Sequence, residues 1–471
     1  MQTLFSLLIL CTGLMLTACQ APSPLQQTQS LPSATPSYYL LQPPPQQEFP
    51  ELKKNPPQTV SNQSPPFSET KPFPSPQPTA QTSNHSREGN SSGNFSAPLV
   101  SPPISNPKVV LKPRLAAGSL LWQNKPAEEK LPALAQSGVL FKQKLFTLFA
   151  NGHLSIQSLE TGQLLQEIIL ESPADTPLVL DAEGNLFLGT QDGVFHALNP
   201  EGQKNWRIIS EQTGFFHKAG PALDEQGALY LGGQLNQLSC LNPDGSLRWR
   251  FDTLAPVAGS PVIDQERVYF LGQDGIFYAL ERESGEEIWQ FHFKPVATAL
   301  QPALNTAGEI ILGTGDMQIY ALNSQGQILW LYTLENNLAH SPVIGPDGSV
   351  YLIDSQGKIY CLDLFGKLNW VFSNTSPVTA APIIAEDQLL YFGTAQGLIL
   401  ALNPNGEEIW EYALTGAISG DLVLDSQGIL YAQSSSGEQV ALQSFSQGLA
   451  QGDWPCKYRN QRHSSMKEAL Q

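Results

Sequence analysis

Six tryptophans recur at intervals of 40 to 43 residues: Trp206, Trp249, Trp289, Trp330, Trp370 and Trp410. Trp122 lies two such intervals before Trp206, and the spacing predicts that Leu165 fills the missing tryptophan position between them. A period of this length is typical of repeat proteins, in which each unit completes its core against its neighbours. The sequence from about residue 113 onward is therefore predicted to form one repeat domain.

Each period contains four short apolar runs separated by turn-forming residues. Asp192-Gly193 suits a tight hairpin, in which the turn positions require a positive φ. The turn that starts at Asn199 has proline second and Gly202 last, as a β-turn favours. Four short antiparallel strands in about 40 residues are typical of one propeller blade. We therefore expect an all-β fold, a β-propeller of eight four-stranded blades, with seven as the alternative because the end units are degenerate.

The N-terminus resembles a bacterial lipoprotein signal. An apolar run of signal-peptide length leads to Leu16-Thr-Ala-Cys19, which is a bulky apolar residue, two small residues and a cysteine. The resemblance implies that residues 1–18 are a signal peptide and that Cys19 is lipidated, which anchors the chain in the bacterial cell envelope. By resemblance to enterobacterial lipoproteins, Gln20 in place of aspartate favours the outer membrane, facing the periplasm. An ordinary secretory peptide or a buried helix is the alternative.

Residues 19–112 are predicted to be a disordered linker behind the lipidated cysteine. They are rich in proline, serine and glutamine, and include a triple proline at 43–45. Such a segment cannot sustain the hydrogen bonding of helices or sheets. A flexible chain of this length spans roughly 50 Å, and proline stiffening lengthens it. The domain that follows, residues 113–471, is the predicted propeller together with a C-terminal Trp-Pro segment.

The repeat units resemble the PQQ-like repeat, with Gly-x-Leu-Tyr followed by Ala-Leu-Asn/Asp-x-x-Gly-x-x-x-Trp. Residues 348–370 are one example, and residues 454–463 resemble a Trp-Pro segment common beside such propellers, with Cys456 at an apolar position. Within this class the chain looks like the BamB-like lipoproteins, which support β-barrel assembly at the outer membrane. The resemblance implies a non-enzymatic scaffold that binds one or more envelope proteins.

Composition and motifs argue against several other functions. The net charge is −17, almost all of it after the linker, and no basic stripe is present for binding nucleic acid. The sequence contains neither the adjacent cysteine pair typical of PQQ dehydrogenases nor a Gly-x-Ser-x-Gly or phosphate-binding motif. We expect no cofactor, no metal site and no enzymatic activity. A PQQ-dependent or glycan-acting enzyme and a peptidoglycan- or polysaccharide-binding module remain alternatives.

Two groups of side chains are singled out by their place in the repeat. Cys240 and Cys361 take the small-residue position before leucine, three blades apart, and are predicted to be buried free thiols. Phe215 and Phe216 replace the Pro-Val pairs of equivalent blade connections, and exposed aromatic residues there would suit partner binding. Packing against the neighbouring blade is the alternative for these two residues. The repeating tryptophans are expected to be structural, with one docking role in each blade.

Overall fold

The computed structural model describes residues 118–125, 134–209, 219–233, 236–293, 300–450, 455–456 and 460. These residues form 32 β-strands, which are arranged in eight four-stranded antiparallel sheets. The predicted all-β propeller with eight four-stranded blades is confirmed, and the seven-bladed alternative is wrong. No helix in the described part of the chain is long and apolar enough to cross a membrane.

Seven blades are built from four consecutive strands each, running from the innermost strand to the outermost. Blade 1 contains β2 (Ala135–Phe141), β3 (Lys144–Phe149), β4 (His153–Ser158) and β5 (Leu164–Ile169). Blade 2 contains β6 (Val179–Leu180), β7 (Leu186–Gly189), β8 (Val194–Leu198) and β9 (Lys204–Ile209). Blade 3 contains β10 (Ala222–Leu223), β11 (Leu229–Leu231), β12 (Gln237–Leu241) and β13 (Leu247–Asp252). Blade 4 contains β14 (Val262–Ile263), β15 (Arg267–Leu271), β16 (Ile276–Glu281) and β17 (Glu287–His292).

The next three blades follow the same order. Blade 5 contains β18 (Ala303–Leu304), β19 (Ile310–Gly313), β20 (Gln318–Leu322) and β21 (Ile328–Thr333). Blade 6 contains β22 (Val343–Ile344), β23 (Val350–Ile353), β24 (Lys358–Leu362) and β25 (Leu368–Ser373). Blade 7 contains β26 (Val378–Ile384), β27 (Leu390–Thr394), β28 (Leu398–Leu402) and β29 (Glu408–Ala413).

Blade 8 joins the two ends of the domain. Its inner strands are β30 (Ile418–Leu424), β31 (Ile429–Ser434) and β32 (Gln439–Gln443), and its outermost strand is β1 (Leu120–Asn124). Trp122 of β1 pairs with Ala441, as Trp206 pairs with Ala197 in blade 2. Trp122 is therefore the tryptophan of the eighth blade. Main-chain hydrogen bonds between distant parts of the chain close the ring, since four of the five residues of β1 have partners in β32.

Blade 1 departs from the predicted register. Gln166 pairs with Ile156 at the position that tryptophan takes in the other blades, so the assignment of Leu165 to this position is wrong. The reason is the turn between β4 and β5. Ser158 N–H donates to the carbonyl five residues later, whereas Asn199 N–H in blade 2 donates to the carbonyl four residues later. One additional turn residue moves the whole strand along by one position.

The core lies between the blades and is made mainly by the three inner strands of each sheet. Tyrosines of the second strands are almost fully buried at Tyr230, Tyr269, Tyr351, Tyr391 and Tyr431. Burying a tyrosine is favourable when its hydroxyl has a partner. Tyr230 donates to Asp224 at 3.1 Å and Tyr269 to Asp264 at 2.9 Å, and both aspartates belong to the turn just before the tyrosine strand.

Candidate functional site

Tryptophans join six of the eight blades to the next blade. Six indole N–H groups donate to a main-chain carbonyl in the following blade, at 2.8 to 3.1 Å. The pairs are Trp122 with Leu159, Trp206 with Pro243, Trp249 with Arg282, Trp289 with Ser324, Trp330 with Leu364, and Trp370 with Pro404. This recurrence is what a docking role between blades requires.

A glycine in the accepting turn makes this contact possible. Gly285 has a φ of +73°, and a Cβ built on it would lie 2.6 Å from the ring of Trp249. Gly366 has the same relation to Trp330, at 2.5 Å. Only glycine allows both the left-handed backbone and the close approach of the indole.

The buried ionisable groups are engaged in holding turns together. Asp224 accepts hydrogen bonds from the main-chain N–H groups of Gln226 and Ala228, and Asp425 makes the same contacts in blade 8. Burial raises the pKa of both carboxyl groups above the ordinary value. His196 lies 3.2 Å from the hydroxyl of Thr190, and burial lowers the pKa of its imidazole. These side chains belong to the interior of single blades and do not converge on a common point.

The cysteines are poor nucleophiles. Cys240, Cys361 and Cys456 are buried free thiols, which confirms the prediction for the first two. Burial raises the pKa of Cys240 to about 12 and that of Cys361 to about 11, so both remain protonated at neutral pH. Among the residues that the structure describes, no group of three or more His, Cys, Asp or Glu side chains is placed to hold a metal ion.

The chain beyond β32 returns to the centre of the ring. Ala450 N–H donates to Ile384 O at 2.9 Å, and Ile384 N–H donates to Pro455 O at 2.8 Å, so this segment pairs with the innermost strand of blade 7. Cys456 packs among the apolar residues of blades 7 and 8, which confirms its predicted apolar position. The C-terminal segment therefore pairs with the end of β26, at Ile383 and Ile384.

The junction of blades 8 and 1 is polar where other junctions are apolar. Gln157 donates to Gln439 at 2.6 Å, and Gln439 donates to Gln433 at 2.9 Å. Gln439 takes a position that Ile399 takes in blade 7. The adjoining cavity of about 20 Å³ has polar lining residues that include Ser137 and Thr147. This volume suits about one water molecule and is far too small for a cofactor.

Exposed apolar side chains are concentrated on the outer parts of blades 5 and 6. We call this surface the blade 5–6 rim: Ile328, Leu329, Leu331, Leu364, Phe365, Leu368 and Val371. Phe365, at the tip of a turn, is 76% exposed. Equivalent turn positions in other blades hold Glu201, Asp244, Gln325 and Asn405. Exposed apolar patches with an area on the order of a few hundred Å² often mark interaction sites on soluble proteins.

The other predicted site residues lie elsewhere in the chain. Cys19, Phe215 and Phe216 are outside the described residues, and their roles remain predictions. On the blade connection that precedes β14, Leu254 is 79% exposed, whereas Val257 is buried by its bridge to Gly272. The blade 5–6 rim was not predicted from the sequence. The replacement of charged or polar residues by Leu, Val and Phe at repeat-equivalent positions is the signal that could have revealed it.

The chain matches a family model described as "Outer membrane protein assembly factor BamB" over residues 191–363 and 274–457, more than half of its length. The chain belongs to the BamB family. Its fold is similar to that of BamB from Moraxella catarrhalis, with a TM-score of 0.56 and 16% identity over 69% of this chain and 99% of that one. The computationally designed Ika8 protein is also similar, with a TM-score of 0.58 and 15% identity over 66% of this chain and 96% of that one. No curated protein sequence matches the chain.

Proposed function

We propose that this BamB-family chain is a non-enzymatic scaffold of the bacterial cell envelope that binds a partner protein through its propeller. The observation that carries the proposal is the blade 5–6 rim, where Leu331, Val371 and Phe365 are exposed apolar residues at positions that are charged or polar in the other blades. Partner binding buries such surface and gains free energy in proportion to the apolar area removed from water. The family membership supports a role among envelope proteins.

The proposal includes an anchor and a tether. Residues 1–18 act as the signal peptide, Cys19 carries the lipid, and residues 19–112 connect it to the propeller of residues 113–471. The anchor places the domain at the outer membrane, facing the periplasm. Cys19→Ala removes the acceptor thiol, so the protein should leave the membrane fraction. A mass spectrum of the wild-type mature N-terminus should show an acylated Cys19.

Crosslinking in intact cells tests the scaffold function. A reagent applied to living cells, followed by purification and mass spectrometry, should capture the same envelope protein in repeated experiments. The Cys19→Ala variant should lose this adduct if the anchor is what brings the two proteins together. Failure to capture any envelope protein reproducibly would remove the proposal. Dye reduction by the purified protein after loading with PQQ and Ca²⁺ would replace it with an enzymatic function.

A further inference from the structure

Among the residues that the structure describes, no strand pairs with the outer edge of β21, and this edge lacks the usual protection. It is the last strand of its sheet, and its residues Ile328–Thr333 include no charged side chain. Sheet edges that must stay unpaired commonly carry charged residues. Arg207, Arg250 and Glu411 occupy the position of Leu331 in blades 2, 3 and 7. β21 is therefore exposed as a pairing site in a way that those strands are not.

Three further outer strands help to isolate what is particular to β21. β5 exposes three apolar side chains, but Glu167 lies in the middle of that strand and contacts His153. β25 and β1 have no charged residue, and they expose two and one large apolar side chains respectively. β21 combines an uncharged sequence with three exposed apolar residues.

Both faces of β21 are apolar near this edge. Successive side chains of a strand point to opposite faces, so Leu329 and Leu331 lie on one face and Trp330 and Tyr332 on the other. Phe365 adds to the second face, because the carbonyl of Leu364, in the same turn, accepts a hydrogen bond from the indole N–H of Trp330. A helix could cover only one of these faces. An added strand would pair with the main chain of β21 and place side chains on both.

The net charge of the chain, rather than the charge next to β21, indicates which strand would bind. Asp363 and Lys367 lie in the turn that contacts Trp330, and Glu335, which follows the strand, pairs with Lys358, so the charges next to β21 balance. The chain as a whole has a net charge of −17, so a second copy is repelled electrostatically. Basic residues at the ends of an apolar segment would be attracted.

We propose that the outer edge of β21 binds an extended apolar segment of a partner protein by β-strand addition, with basic residues flanking that segment. The inference rests on the proposed scaffold function and specifies its surface and the chemistry of its partner. Main-chain hydrogen bonds to β21 supply affinity. Leu329 and Leu331 on one face and Phe365 on the other select an apolar sequence.

The test uses the purified full-length chain and two labelled peptides. Each has about ten residues, the length of a long strand, with alternating valine and threonine. One peptide ends in lysine pairs, and the other ends in glutamate pairs. The lysine peptide should bind with a dissociation constant on the order of 10 µM by fluorescence anisotropy, and the glutamate peptide at least about tenfold more weakly.

Variants borrowed from other blades locate the site. Leu331→Arg introduces the residue of blade 3, and Phe365→Asn introduces the residue of blade 7. Each should weaken binding about tenfold, because hot-spot apolar contacts have effects of this size. Gln290→Arg makes the matched change on β17 and should leave binding unchanged. Circular dichroism confirms that each variant is folded.

Several outcomes would overturn the inference. These are equal binding of the two peptides, binding unaffected by Leu331→Arg, or a wild-type dimer in sedimentation that Leu331→Arg dissociates. If the peptides do not bind but crosslinking in cells still captures a partner elsewhere on the propeller, this inference fails and the scaffold function stands. If crosslinking captures no partner at all, the scaffold function itself fails.

Discussion

Replacing Trp249 by phenylalanine tests how the blades are held together. The indole of Trp249 is only 8% exposed and donates to the carbonyl of Arg282 at 2.9 Å. Phenylalanine retains most of the ring packing but leaves that buried carbonyl without its donor. Leaving a buried polar group unpaired costs about 1–3 kcal/mol. We expect Trp249→Phe to lower the free energy of unfolding by about 2 kcal/mol.

Trp206→Phe is the matched control. Trp206 makes the same bond, at 2.8 Å to the carbonyl of Pro243, but at a solvent-exposed site. Water can replace the lost donor there, so the expected cost is about 0.5–1 kcal/mol. The two variants remove the same atoms and differ in the burial of the partner they leave behind.

Urea denaturation followed by circular dichroism gives the free energy of unfolding of each variant. Because a large ring need not unfold in one step, hydrogen exchange should also be measured at the turn between β16 and β17. Trp249→Phe should lower amide protection there, while Trp206→Phe should not. Equal losses for the two variants, or a larger loss for Trp206→Phe, would refute the reasoning from burial.

Three further predictions concern the interior of the propeller. Gly285→Ala should be more destabilising than Gly308→Ala in urea denaturation, because both glycines have a positive φ but only a Cβ on Gly285 would meet a neighbouring ring; equal costs would contradict this. In the native protein at pH 8, Cys240 and Cys361 should not react with a disulfide reagent, and both should react in concentrated urea; fast native reaction would contradict their burial. Burial lowers the pKa of His196, so as the pH falls through about 6.5 this histidine is protonated first in the unfolded chain. The free energy of unfolding should therefore decrease below that pH, by up to about 1.4 kcal/mol per pH unit. His196→Leu, which introduces the residue of blade 7, should flatten the decline in stability between pH 7 and pH 5 by this amount; an unchanged slope would contradict the assignment.

Local sequence patterns were sufficient to predict the blades. Six tryptophans are each followed 33 to 37 residues later by the turn that accepts the indole N–H, and each of these turns contains a glycine, so the period is visible without any long-range information. The strand order within a blade follows from the same pattern, because consecutive strands joined by tight turns pair with each other.

Long-range pairing could not be predicted in this way. The sequence of β1 is that of any outer strand, and nothing in it indicates that its partner lies more than 300 residues later. The pairing of the C-terminal segment with β26 is similarly remote. The register of blade 1 was wrong by one residue because a turn with one additional residue also satisfies the turn pattern.

The candidate site was the least predictable part. The prediction placed partner binding at Phe215 and Phe216, which lie outside the described residues. In the outer strands, apolar residues occur on both faces in every blade, so Leu329 and Leu331 do not stand out in the sequence. Leu331 becomes conspicuous once the strand register identifies its repeat-equivalent positions, where other blades carry Arg or Glu.

Site-specific photocrosslinking in growing cells tests the central claim most directly. A photoreactive amino acid is placed at position 331 of β21 or, in the matched control, at position 290 of β17. The account predicts an adduct with one envelope protein from position 331 only. The crosslinked peptide should be an apolar strand with lysine or arginine at its ends, and Phe365→Asn should reduce its yield. No protein adduct from position 331, or equal adducts from both positions, would contradict the claim that this chain is a scaffold that uses the edge of β21.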